Sequence, residues 1–343
     1  MKNQLMFILI LVLVLMLAAC SSGQSGKKSQ SDEDVYKLKM NVAFQKGDEG
    51  DVVSLSTEKF AKEVYKRTNG RVDIEVFYSA QLLPVDQMLS GLEKGTIDLA
   101  YTLPEYYGEY APTGYYGSLP FLGKDIDEFM KLLREDGIAT ILEEEFSEHG
   151  AKILLYGTPG EYGILSNKPI KSIEDMKGLT IRAGNSLWVN WYQSLGAAPA
   201  NIPTTDVYQG LQLGTIDAVP YSLNTIEFYN FHEVVSSMTA GIRVSALSSV
   251  MISNKTWEKI PEDLQSIILE VAAETEEKNI QFYRDTLDRP YEFAAEKGVE
   301  VNTLNEKEYA RFVESGQIVW DEFAALSDRT KEISDILKEK LTN

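Results

Sequence analysis

From Leu38 onward the chain alternates between strand-like and helix-like spacing of its apolar residues. Leu38 to Phe44 reads as a first strand. Ser54 to Arg67 places Leu55, Phe60 and Val64 near one face with charges between them, the pattern of an amphipathic helix. Asn69-Gly70 marks a turn. In Val72 to Tyr78, the residues Val72, Ile74 and Val76 alternate with Asp73, Glu75 and Phe77. Gln87 to Lys94 predicts a helix capped by Gly95, and Ile97 to Ala100 a short strand. This β-α-β-α-β order predicts an α/β domain with a largely parallel sheet.

A second unit follows the same plan. Ala151 to Tyr156 and Leu179 to Arg182 read as strands, with a short helical turn at Ser172 to Asp175 between them. Leu187 to Leu195 and Thr204 to Leu213 read as helices, and Ile216 to Val219 as a strand. The two units share an internal similarity: Gly91-Leu92-Glu93-Lys94-Gly95-Thr96-Ile97-Asp98 matches Gly210-Leu211-Gln212-Leu213-Gly214-Thr215-Ile216-Asp217. Both copies join a helix to a strand, so two related α/β lobes are expected, with Gly95 and Gly214 at positive φ. Val244 to Ile252 predicts a further strand and the stretch after Pro261 a long helix, interrupted or kinked at Pro290. Both are expected to cross back to the first lobe. Val299 to Val301 is a short apolar stretch. Lys307 to Leu326 and Ile333 to Leu341 complete the helical pattern. The expected division is 35–158 plus 245–290 for one lobe and 159–244 plus 291–340 for the other.

The N-terminus follows a different rule. Lys2 precedes an unbroken apolar run of 15 residues, Leu5 to Ala19, shorter than a typical bilayer-spanning helix. It closes on Leu17-Ala18-Ala19-Cys20, which resembles the bacterial lipobox. Residues 1–19 are therefore expected to be a signal peptide, with Cys20 lipidated and residues 20–34 a polar tether. The protein is then an extracytoplasmic lipoprotein anchored to the cell membrane.

Composition narrows the function. The 343-residue chain carries 33 Lys+Arg against 52 Asp+Glu, a formal net charge of −19, so phosphate backbones are repelled and a nucleic-acid partner is excluded. Two His and one Cys are too few for zinc or iron–sulfur frameworks. There is no nucleophile elbow, P-loop or Rossmann glycine fingerprint, and Glu143-Glu144-Glu145 reads as a solvated helix face. No metal, cofactor or enzymatic activity is expected. Aromatic density stands out instead: Tyr101, Tyr106, Tyr107, Tyr110, Tyr115 and Tyr116 in one segment, Trp188, Trp191 and Tyr192 in a second, Tyr221, Phe228 and Tyr229 in a third. Such side chains give a pocket apolar walls with hydrogen-bonding tips. Arg182 ends an apolar strand just before Ala183-Gly184-Asn185-Ser186. In an acidic protein that placement points to a planar anion held by the guanidinium fork.

Several motifs together resemble the solute-binding components of tripartite ATP-independent periplasmic (TRAP) transporters, the dicarboxylate-binding-protein family. They include Phe77-Tyr78-Ser79-Ala80-Gln81-Leu82, Leu119-Pro120-Phe121 and Ser166-Asn167-Lys168-Pro169-Ile170. Ile173-Glu174-Asp175-Met176-Lys177-Gly178-Leu179-Thr180-Ile181-Arg182 and the two Gly-Thr-Ile-Asp repeats add to them. The resemblance runs from about Tyr36 to Lys331 and implies a two-lobed, periplasmic-binding-protein-like α/β fold with hinge strands and a long helix spanning both lobes. It implies capture of a small organic acid and its delivery to TRAP permease membrane subunits, with Arg182 clamping the carboxylate. Many members carry a second arginine where this chain has Tyr162, and an Asn where it has Tyr221. A monocarboxylate with an apolar or aromatic body is therefore expected, rather than a sialic acid or C4-dicarboxylate. The candidate ligand set is Arg182, Tyr162, Tyr221, Trp188, Asn185, Glu161, Tyr106, Asn224 and Arg243. A sensory lipoprotein of the same fold, handing its ligand to a receptor, is the alternative; a secreted enzyme is less favoured.

Overall fold

The computed structural model describes residues 34–46, 51–158, 160–241 and 246–341. Among them, two sheets carry the architecture. The first has the strand order β2-β1-β3-β10-β4, built from β1 (Tyr36–Val42), β2 (Val72–Phe77), β3 (Leu99–Thr102), β4 (Ala151–Gly157) and β10 (Ser248–Ser253). Strands β1, β2 and β3 run parallel, and β10 lies antiparallel between β3 and β4. The second sheet has the order β11-β9-β5-β8-β6-β7. Its members are β5 (Tyr162–Ser166), β6 (Thr180–Arg182), β7 (Ala198–Ala200), β8 (Ala218–Ser222), β9 (Ser237–Ala240) and β11 (Glu300–Thr303).

Helices cover these sheets. The first sheet packs α1 (Phe60–Arg67), α2 (Met88–Lys94), α3 (Ile126–Arg134) and α4 (Ile138–Glu148); the second carries α5 (Ser186–Ser194) and α6 (Val207–Gln212). Leu264, Ile268, Val271 and Ala272 of α7 (Glu262–Asp285) are buried with Val250, Ile252 and Leu155 of the first sheet. The far end of α7 brings Phe282 to a stacked contact with Phe228 of the second lobe, ring centroids 6.5 Å apart. Pro290 sits in the first turn of α8 (Arg289–Lys297), where its missing N–H costs nothing. The chain closes with α9 (Glu306–Ala324) and α10 (Asp328–Leu341). In α9, Trp320 Nε1 donates to the Pro120 carbonyl at 3.0 Å.

The internal repeat is structural as well as sequential. Gly91 in α2 and Gly210 in α6 each pass so close to the following strand that an added Cβ would meet Ile97 Cγ1 at 3.3 Å or Ile216 Cγ1 at 3.2 Å. Gly95 and Gly214 then reverse the chain at φ 75° and 68°, a conformation that costs a side chain free energy. The repeat's Asp does the same task twice. Asp98 Oδ2 accepts from Lys39 N at 2.9 Å, and Asp217 Oδ2 from Thr180 N at 2.9 Å. Each carboxylate stitches the entering strand to its neighbour before the ladder starts. That is why the strands expected at 97–100 and 216–219 begin two residues later, at Leu99 and Ala218.

Other differences have similar local causes. β8 continues through Pro220, which faces Ile164 of β5; the β6 pairing involves only Ala218, so the proline removes no ladder bond on that side. Strands β5 and β9 escape the alternation test because all their residues are buried. The run Glu143-Glu144-Glu145 is not uniformly a solvated face. Glu145 is buried, and its Oε2 accepts the Thr113 backbone N–H at 2.8 Å. The strand expected over 244–252 runs Ser248–Ser253; Ala246 and Leu247 are buried but lie outside it.

The chain crosses between the sheets three times in the described region: from β4 to β5, from β9 back to β10, and from β10 by way of α7 and α8 to β11. The first two join strand to strand and are the hinge connections of a two-lobed α/β fold.

Candidate functional site

Three neighbouring strands of the second sheet bring the site together. The order β5-β8-β6 sets Tyr162, Tyr221 and Arg182 side by side at one end of the sheet. Arg182 is the last residue of β6, and Ala183 N then bonds the Ala200 carbonyl at 3.0 Å. The chain turns through Gly184 into Asn185, whose side-chain oxygen caps α5 by accepting from Trp188 N at 3.0 Å. The arginine is thereby fixed at a strand's carboxyl end, beside the start of a helix.

Arg182 is 6% exposed. Its Nε donates to the Ile202 carbonyl at 2.9 Å, which orients the guanidinium while its terminal nitrogens meet no carbonyl or carboxylate of the described residues. The guanidinium carbon stands 5.9 Å from the Tyr221 ring centroid. Tyr106, from the turn Pro104–Tyr107 after β3 of the other lobe, lies beside the same group, with Tyr162 also within electrostatic reach. A buried cation beside the Tyr221 ring and the Tyr106 hydroxyl, lacking a counter-ion in contact, is arranged to receive an anion. Burial raises the hydroxyl pKa of Tyr106, Tyr162 and Tyr221 above the ordinary phenol value, so all stay neutral donors at physiological pH.

The remaining candidates are placed less uniformly. Trp188 is almost fully buried, and its indole N–H donates to the Ser118 carbonyl at 2.9 Å. Asn185 has both functions engaged, its Nδ2 donating to Ser118 Oγ at 2.9 Å. Glu161 Oε2 accepts from the Tyr291 hydroxyl at 2.6 Å. With Tyr162, Lys124, Asp125 and Tyr283, Glu161 lines a cavity of about 330 Å³ that does not include Arg182. Asn224 borders a cavity of about 40 Å³ with Asp51, Tyr229 and Phe282. Cys20 and Arg243 lie outside the described residues.

Two buried groups near Arg182 were absent from the sequence-derived set. Glu105 is 3% exposed, and Tyr192 on α5 has a buried hydroxyl with no hydrogen-bond partner among the described residues. The signal for Glu105 was present: it is the lone charge between Asp98 and Glu109, in the segment Leu103-Pro104-Glu105-Tyr106-Tyr107 after an apolar strand.

Over residues 45–326 the sequence matches bacterial extracellular solute-binding protein, family 7. The chain belongs to this family. Among solved structures it is similar to a TRAP periplasmic solute-binding protein from Desulfovibrio salexigens with bound orotic acid, at a TM-score of 0.82 and 25% identity, covering 90% of this chain and 99% of that one. A TRAP periplasmic solute-binding protein from Haemophilus influenzae with bound L-gulonate gives a TM-score of 0.81 at 26% identity, covering 89% and 99%. In sequence, the sialic acid-binding periplasmic protein of Vibrio cholerae is 26% identical over 253 residues, 74% of this chain and 79% of that protein. The protein is thus a TRAP-type solute-binding protein that works outside the cytoplasm, binding a small organic acid for a TRAP permease without catalysing a reaction.

Proposed function

We propose that this protein captures a monocarboxylate with an apolar or aromatic body, and that Arg182 clamps its carboxylate between the lobes. The observation that carries the reading is the composition around Arg182: one buried guanidinium whose described neighbours at Tyr106, Tyr162 and Tyr221 are phenols rather than further cations. A phenol cannot neutralise a second carboxylate, and burying that charge unpaired costs about 3–5 kcal/mol. The same rings offer flat apolar walls. The orotic acid bound by the Desulfovibrio salexigens protein is a flat, ring-bearing monocarboxylate, though with a polar ring. A thermal-shift screen of about a hundred organic acids on ligand-stripped protein tests the assignment. Monocarboxylates raise the melting temperature, and Tyr162→Ala weakens the best of them. Strong shifts with succinate, malate or fumarate and none with monocarboxylates overturn it.

Residues 35–158 with 245–290, and 159–244 with 291–340, are the two bodies that close on the ligand, hinged at the crossing strands. Support for this division comes from β10, which follows β9 in sequence yet pairs with β3 and β4.

The N-terminal segment completes the reading. Lys2, the apolar run and Leu-Ala-Ala-Cys support acylation of Cys20 and removal of Met1–Ala19. Two or three acyl chains hold a protein on the bilayer where one holds it marginally. Intact-mass analysis of the membrane fraction yields a chain starting at Cys20 with added lipid mass. An uncleaved, lipid-free chain refutes the anchor and leaves the ligand assignment standing.

A further inference from the structure

Arg182 shares its surroundings with an opposite charge that the carboxylate clamp leaves unexplained. Glu105 Oε2 accepts one hydrogen bond, from Ser118 Oγ at 2.9 Å. The same hydroxyl oxygen accepts from Asn185 Nδ2 at 2.9 Å, so Ser118 is held in place by the second lobe's helix cap. The carboxyl lies within electrostatic reach of Arg182, Tyr162 and Tyr192 on the second lobe. Tyr106 and Tyr115 of its own segment lie within the same electrostatic reach. Among the described residues no ion pair joins Glu105 to Arg182. The orphaned Tyr192 hydroxyl couples to both charges.

Two opposite charges held apart inside one buried aromatic cluster have a specific consequence. A bare carboxylate seated on Arg182 neutralises the guanidinium and leaves Glu105 either an uncompensated buried anion or a carboxyl that must take up a proton. A ligand that also carries a cation satisfies both ends without a change of protonation. Building on the carboxylate assignment above, we propose that Glu105 is the second anchor of this site and that the ligand is a zwitterionic monocarboxylate of the amino- or imino-acid type, its carboxylate on Arg182 and its protonated nitrogen turned toward Glu105. Burial pushes the Glu105 carboxyl up to about 7, with Ser118 and Arg182 opposing the rise. A ligand ammonium beside it adds a further cation and keeps the carboxylate ionised.

Matched pairs of acids test this, each pair differing in one nitrogen: proline and cyclopentanecarboxylate, pipecolate and cyclohexanecarboxylate, phenylalanine and 3-phenylpropionate, with both enantiomers where they exist. Calorimetric titration of the ligand-stripped mature protein is run at pH 7.5 in two buffers of different ionisation enthalpy. In the best-bound pair the nitrogen-bearing acid binds at least tenfold more tightly, with no net proton uptake. Glu105→Gln, which retains the side chain's shape and an acceptor for Ser118, brings the two members of that pair within threefold. Equal or tighter binding of the carbocyclic acid overturns the proposal. So does its binding with uptake of about one proton, which shows Glu105 neutralised instead. Should Glu105→Gln not fold, the pair comparison on the unmutated protein decides alone. Failure of the underlying assignment looks different: no monocarboxylate of any pair binds, or Arg182→Ala leaves the pair preference and affinity intact.

Discussion

Arg182→Ala lowers affinity for the bound acid by about 30-fold to several thousand-fold, a loss of roughly 2–5 kcal/mol. The size follows from what the substitution leaves behind. Arg182 is buried and oriented by the Ile202 carbonyl, so its fork is already in position before the ligand arrives. Alanine removes two charge-assisted hydrogen bonds and strands a desolvated anion among phenols. Arg182→Lys rescues poorly, because a point charge on a flexible stem cannot reproduce the planar fork. The variant stays folded, since the guanidinium holds no carboxylate in an ion pair among the described residues. Titration of the folded variant with the acid identified in the thermal-shift screen checks this. Affinity within threefold of the unmutated protein rejects the clamp and moves attention to Arg243.

The second large effect is on stability. Trp188→Ala destabilises the fold by about 3–5 kcal/mol, the range for emptying an aromatic side chain's volume in a core. Trp188 belongs to the cluster that includes Tyr192, Trp191, Leu119 and Phe121, and its ring lies 6.3 Å from that of Tyr192. Its indole N–H also satisfies the Ser118 carbonyl, which alanine leaves unpaired in a buried setting. Since Ser118 bonds Glu105 and Asn185 as well, the loss also loosens the link between those two residues. Trp188→Phe keeps most of the volume but not the donor, and falls between the two. Denaturant unfolding with the ligand absent measures the change. A loss below about 1 kcal/mol shows that the tryptophan is a ligand-facing wall and not core.

How much of this was legible beforehand depends on the range of the interaction concerned. The order of elements, the repeat and the turn glycines are local properties. Period-2 alternation from Val72 to Val76, or a helix ending at Gly95, needs nothing beyond a few neighbouring residues. Arg182 stood out for the same reason, as a charge at the end of an apolar strand. Where every residue of a strand is buried, as in Tyr162–Ser166, alternation disappears and with it the local signal. Strand starts shifted because Asp98 and Asp217 bond the backbone of strands about 40 to 60 residues away in sequence, a pairing that no window reveals.

The α/β class, the two related lobes and an arginine among aromatic segments were already readable from residue type and short spacing. Which charges share the candidate site depends on the fold. Glu145 belongs to an acidic run on a helix, yet folding buries it against the Thr113 amide, while Glu105 in a tyrosine-rich turn comes within electrostatic reach of Arg182 from the other lobe. The reason is physical: a carboxylate's role is set by which partners replace its water, and those partners arrive from segments far apart in the chain.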